Sequence, residues 1–118
     1  MKYMALIYEN EKLSPAPGTD AFNKLIAAFM AAEETFNKDG VYVAGEPLEN
    51  ISSATTVRVR HDKMETTDGP FAETREQLGG FYIFECASLD DALKYAAMIP
   101  CAKTGSVEVR PVMSIPGM

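Results

Sequence analysis

The carboxylates and phenols of this chain are its first candidates for chemistry. Asp68 opens the turn signal Asp68-Gly69-Pro70-Phe71, and a charged run with Glu73, Arg75 and Glu76 follows before Gly79-Gly80 leads into the apolar segment Phe81 to Phe84. A carboxylate fixed by a turn beside a cleft can act as a general base or a polar anchor. Asp before Gly-Pro is equally good turn chemistry, with its side chain bonded to nearby backbone amides. Glu73, Arg75 and Glu76 can clamp a polar ligand, Arg75 serving as an anion fork, or form a solvated loop of alternating charge. Glu33 stands out for another reason. Counted at about 100° per residue from Phe22, it projects between Phe29 and Ile26, inside an apolar helical stripe. A carboxylate there is either buried with a partner or reaches past the helix edge to water. The expectation is a small-molecule cleft between helices and sheet. Asp68 is its candidate catalytic carboxylate, and Tyr8, Glu33, Glu46, Glu73 and Tyr82 are its candidate ligand contacts.

Other chemistries lack their residues. The only histidine, His61, lies beside Asp62 and Lys63 in an expected hairpin turn. Arg58 and Arg60 fall on the polar face of that hairpin. Neither Cys86 nor Cys101 has a histidine near it in sequence, and no Ser-His-Asp set can be built. Gly79-Gly80 is not followed by a helix or a Lys-Ser/Thr pair, so it is no phosphate-binding fingerprint; it permits close backbone approach, a bulge or a tight turn into a strand. The ligand spacing of a metal site is absent as well. No cofactor and no metal are expected.

The elements that must hold these residues follow from periodicity. Lys2 to Tyr8 reads as a buried strand, and Glu9 to Gly18, with Pro15 and Pro17, as a loop. Thr19 or Asp20 caps a helix to about Lys38, with Phe22, Leu25, Ile26, Phe29, Met30 and Phe36 in one stripe. Gly40 ends it. Val41 to Ala44 is a short strand that Gly45-Glu46-Pro47 breaks. Thr55–Arg60 and Met64–Thr67 form a hairpin about His61-Asp62-Lys63. A strand from Gly80 to about Cys86 precedes a second helix, capped by Ser88 with Asp91 and carrying Leu89, Ala92, Leu93, Ala96 and Ile99 inward. The last strand is Ser106 to Val112. Without the hairpin the order is strand, helix, strand, strand, helix, strand, which is the ferredoxin-like α+β pattern. Two helices on one face leave the other face bare, lined in part by Tyr3, Tyr82 and Phe84, and a second copy is the simplest cover for it.

Composition sets the outer bounds. One domain of 118 residues, 47% hydrophobic and 24% charged, suits a globular protein. A net charge of −6 argues against nucleic acid as the main partner. No apolar run reaches the ~20 residues of a membrane span. Met1-Lys2-Tyr3-Met4 passes straight into a strand-like segment and does not read as a signal peptide. Two cysteines without a disulfide framework favour unlinked thiols and a reducing cytoplasm.

The segment Asp68-Gly69-Pro70-Phe71-Ala72-Glu73-Thr74-Arg75-Glu76-Gln77-Leu78-Gly79-Gly80-Phe81-Tyr82 closely resembles the signature of the DGPF proteins, a branch of the YCII-related family. The resemblance extends over Ala54–Arg60 before it and Gly105–Val112 after it. It implies a ferredoxin-like subunit that pairs sheet to sheet as a dimeric α+β barrel. Members of the broader family carry a first-helix histidine proposed to act with an aspartate; Thr19 to Lys38 contains none here. Genes for DGPF proteins commonly neighbour those for extracytoplasmic-type sigma factors. The resemblance therefore implies a second function class, a non-enzymatic regulator with a sigma-factor-type protein partner.

Overall fold

The computed structural model describes residues 1–118. In chain order the elements are β1 (Lys2–Glu9), α1 (Asp20–Lys38), β2 (Tyr42–Pro47), β3 (Thr55–Arg60), β4 (Lys63–Asp68), β5 (Gln77–Glu85), α2 (Leu89–Ala96) and β6 (Ser106–Pro111). The main sheet runs β2-β5-β1-β6 with every pair antiparallel, while β3 and β4 form a separate two-stranded ribbon. This is the ferredoxin-like α+β order with an inserted hairpin.

Both helices pack on one face of the sheet. Period-2 alternation sends Tyr3, Ala5 and Ile7 of β1 and Tyr82 and Phe84 of β5 toward them. There Ala5, Ile7, Tyr82 and Phe84 join Ala32 and Phe36 of α1 and Tyr95 and Ala96 of α2 in one core. Phe36 is its centre, edge-on to Tyr82, Phe84 and Tyr95 at 5.4, 4.9 and 6.0 Å between ring centroids. Such edge-to-face contacts match ring edge to ring face and add to the burial itself. Tyr3, Tyr82 and Phe84 therefore do not line the bare face as the sequence suggested. The adjacent residues do: Met4, Leu6 and Tyr8 of β1, opposite Ile83, Phe81 and Leu78 of β5. A one-residue shift in parity exchanges the two faces entirely.

Both helix starts form as expected. Thr19 Oγ1 accepts from the Phe22 amide at 3.2 Å, and Ser88 Oγ accepts from the Asp91 amide at 3.2 Å. The interiors differ from the expected stripes. Only Ala32 and Phe36 of α1 are buried, and Ile26 and Met30 are exposed. The N-terminal half of α1 stands away from the sheet and leaves a cleft. In α2 the buried residues are Ala92, Tyr95 and Ala96, whereas Leu89 and Leu93 face outward. That helix stops at Ala96, and Ile99 is buried from the turn beyond it.

The sheet is also longer than its glycines suggested. β2 continues through Gly45 and Glu46 to Pro47, and β5 begins at Gln77, so Gly79 and Gly80 lie inside a strand. Pro47 ends an edge strand, where its missing N–H is tolerated. The hairpin turns at His61 and Asp62, both with positive φ, between the paired Arg60 and Lys63. Two such residues match the right-handed twist of the flanking strands.

Candidate functional site

A cavity of about 800 Å³ opens between the N-terminal half of α1 and the β1, β5 and β2 edge of the sheet. Its apolar wall comes from the α1 stripe, with Phe22, Leu25 and Phe29 facing Ile7 across the gap. Five glutamates line it as well: Glu9, Glu11, Glu33, Glu46 and Glu49. No lysine, arginine or histidine does.

Each carboxylate arrives from a different element. Glu9 ends β1, and its Oε2 accepts a hydrogen bond from the Cys101 thiol at 3.2 Å. Glu11 follows in the next turn, and its Oε2 accepts from the Ile51 amide at 3.0 Å. Glu49 Oε1 accepts from the Ser53 hydroxyl at 3.0 Å. Glu33 projects from the cavity face of α1 and Glu46 lies on β2. The Glu33 carboxylate lies beside the Tyr82 hydroxyl and acts on it, and neither Glu33 nor Glu46 pairs with a cation, since the chain's two ion pairs are Met1–Glu85 and Arg110–Glu108.

Tyr82 forms part of the floor. The residue is 95% buried, with its ring against Phe36 on one side and Tyr42 on the other, at 5.4 and 6.1 Å between centroids. Gly45 makes that position possible: a Cβ there would come within 2.5 Å of the Tyr82 ring. The Tyr82 hydroxyl reaches the cavity, with the Glu33 carboxylate beside it. Burial first, and then the nearby Glu33 carboxylate, push its pKa well above the ordinary 10.0, so the phenol stays neutral. The Tyr42 hydroxyl is raised too, by burial and then by Glu33 and Glu46, so both carboxylates act on this corner of the site. Burial and the bond to Glu9 push the Cys101 thiol up to about 12. A thiol held protonated is a donor rather than a nucleophile at neutral pH.

The structure brings together Glu33, Glu46 and Tyr82 of the expected site residues. It does not bring Asp68, Glu73 or Tyr8 to them. Asp68 is exposed at the end of β4, pairs in the ribbon with Thr55, and lines neither this cavity nor the second groove. Glu73 is exposed and also lines neither. Tyr8 lies on the helix-free side, in a groove of about 620 Å³ shared with Pro70, Phe71 and Leu78. The acidic cleft is therefore formed without Asp68, because the ribbon carries the turn away from the main sheet. Sequence reasoning missed Glu9, Glu11, Glu49 and Cys101. One signal was present for Glu9, since it continues the alternation Tyr3, Ala5, Ile7 on the helix side of β1.

Fold and site together define a ferredoxin-like α+β subunit with an acid-lined cavity between its first helix and its sheet. The YCII-related domain matches residues 1–116, and the chain belongs to that family. A protein of Rhizobium meliloti (strain 1021), named only as uncharacterised, is 36% identical over 114 residues, 95% of this chain and 92% of its own length. Among solved structures, the chain resembles 5-chloro-2-hydroxyhydroquinone dehydrochlorinase from Burkholderia phenoliruptrix AC1100, in complex with 2,5-dihydroxybenzoquinone. The TM-score is 0.50 at 16% identity, covering 96% of this chain and 94% of that one. At that identity the likeness establishes a shared fold.

Proposed function

We propose that the protein binds a small organic molecule in the cavity between α1 and the sheet. The observation that carries this reading is the convergence of Glu33 and the Tyr82 hydroxyl beside it on one apolar-walled space of about 800 Å³. A few polar groups in a concave, largely apolar pocket are the usual anatomy of a small-molecule site. The solved relative in fold is an enzyme captured with a small ring compound, which is consistent with the reading. Any proton transfer here falls to Glu33 beside Tyr82, because the Cys101 thiol is held protonated and no histidine reaches the cavity.

The working unit we propose is a homodimer closed over the helix-free sheet face, in the dimeric-barrel arrangement that the family resemblance implies. The two unlinked thiols suit a reducing compartment such as the cytoplasm, and no helix is long and apolar enough to cross a membrane. The alternative of a sigma-factor-linked regulator gains nothing from the relatives found, and we do not advance it.

The test is a fragment screen by amide-resolved NMR on isotope-labelled protein. Hits should perturb amides of Glu33, Gly45, Glu46 and Tyr82, and Gly45→Ala should abolish them by displacing the Tyr82 ring. A broad panel in which every hit maps outside this cavity, or in which none binds, would overturn the reading.

A further inference from the structure

The two-stranded ribbon takes no part in the cavity, and its charge is not balanced within the chain. We propose that it is a docking arm. In the homodimer proposed above, on which this inference rests, the basic face of each ribbon lies on the β6 edge of the other copy, against Glu76.

The ribbon has nothing of its own to pack on. Its strands belong to no larger sheet, and of residues 55–60 and 63–68 only Thr56 is even half-buried. A hairpin left alone in water is marginally stable, so a ribbon paired regularly from Thr55–Asp68 to Arg60–Lys63 calls for a surface to lie on.

Charge says what kind of surface. Alternation along the strands puts Arg58, Arg60, Lys63 and Glu65 on one face. Arg60 and Lys63 stand directly opposite each other, and like charges so placed repel. Neither they nor Arg58 enter an ion pair within the chain. A carboxylate brought in from outside relieves that repulsion, and a second copy with net charge −6 can supply one.

Placement selects the second copy and the edge. Thr56 shares the basic face and lines the groove of Tyr8 and Leu78 on the helix-free side. At its root, therefore, the basic face is turned toward the side on which the second copy sits. Pro47 of β2, Gly80 of β5, Ile7 of β1 and Val107 of β6 form one row across the sheet. The ribbon leaves from the Pro47 end of β2, level with the start of β6. A two-fold axis along the strands sets β2 of each copy beside β6 of the other and covers both open edges. Each ribbon then arrives at the start of the other copy's β6. There Glu76 accepts from the Ser106 hydroxyl at 2.8 Å and pairs with no cation. Six residues of strand span about 20 Å, twice the ~10 Å between packed sheets, so the arm is long enough to reach.

The test is sedimentation equilibrium with complementary charge reversals. Arg60→Glu with Lys63→Glu makes the ribbon acidic, and Glu76→Lys with Ser106→Lys makes the edge basic. Each double variant alone should dimerise at least about tenfold more weakly than wild type, because its ribbon and edge then carry like charge. An equimolar mixture of the two should recover most of the lost affinity, since every ribbon then meets an edge of opposite charge. In wild type, a rise from about 50 to about 500 mM salt should weaken the dimer severalfold through screening. Reversed variants that associate as wild type does, a mixture that recovers nothing, or a salt-independent constant would overturn the arm and leave the homodimer standing. A loss as large in Val57→Ser, on the opposite ribbon face, would also overturn it. Wild-type chains that sediment as monomers would overturn the homodimer and the arm together, with the small-molecule reading untouched.

Discussion

Cys101 and Tyr82 show how one buried acidic corner couples to stability through pH. Both groups lose a proton to become charged, and both are harder to ionise in the folded chain than in water. Burial is the leading cause in each case, and a glutamate is the second: Glu9 for the thiol and Glu33 for the phenol. A pKa raised on folding means that the folded state holds the proton more tightly, so stability is complete below the unfolded pKa and falls above it. For Cys101 that decline begins near its ordinary 9.0 and continues to about 12. For Tyr82 it begins near 10.0. Thermal melting between pH 8 and 11 should therefore show a falling midpoint, steeper above 10 than below. Cys101→Ala should flatten the part between 9 and 10 while leaving the Tyr82 part. An unchanged slope in that variant would show that the thiol does not titrate in this window.

At the scale of elements, the turn after β4 separates two roles that the sequence could not. Gly69 has φ +99°, its N–H donates to Ala54 O at 2.8 Å, and Thr56 Oγ1 donates to its carbonyl at 2.8 Å. Asp68 pairs through its backbone, and its side chain takes part in no hydrogen bond of the turn. Asp68→Ala should change stability by less than about 0.5 kcal/mol. Gly69→Ala should cost about 1 kcal/mol or more, because a Cβ is strained at that φ. Denaturant melts of the two variants check the order, and a larger loss in Asp68→Ala would reverse it. The element order, both helix caps and the hairpin turn were legible because each depends on a local signal: a hydroxyl three residues before an amide, or alternation over a few positions. The face assignment of Tyr82 was not, since strand parity becomes absolute only when a partner fixes it, as Phe36 does here. The site was half legible. Glu33 announced itself as a charge in an apolar stripe, and Tyr82 is its neighbour in space. Glu11 and Glu49 sit in turns whose meeting depends on tertiary contacts, such as the Ile51 amide on Glu11, that no sequence spacing encodes.

The whole molecule is flat, and its flatness argues for a partner. Its extents are 48 × 46 × 19 Å and its radius of gyration is 16.3 Å, against about 13.5 Å for a compact chain of this length. It exposes 8588 Å², where a compact monomer of this mass would expose about 6,300 Å². Only 14 of 118 residues are buried, so a single layer of helices over a single sheet has left much apolar surface uncovered. The uncovered surface has an interface's anatomy. Met4, Leu6, Phe81 and Ile83 form an apolar centre on the helix-free face, and Glu108 and Arg110 of β6 form a polar, mutually bonded margin beside it. A second copy meeting this face about a two-fold axis would bring Leu6 into the contact twice, once from each chain. Such a dimer should bury more than about 1,000 Å² in total. Sedimentation at micromolar concentration is therefore expected to give twice the 12.9 kDa of one chain. Leu6→Lys would place two ammonium groups in the apolar centre, where the cross-strand carboxylate of Glu108 is already paired with Arg110, a penalty of several kcal/mol, and should yield monomers. The variant's helical signal should persist, because Leu6 points away from the core built around Phe36. A wild-type chain that sediments as a monomer, or a Leu6→Lys variant that remains dimeric, would place the cover of this face elsewhere.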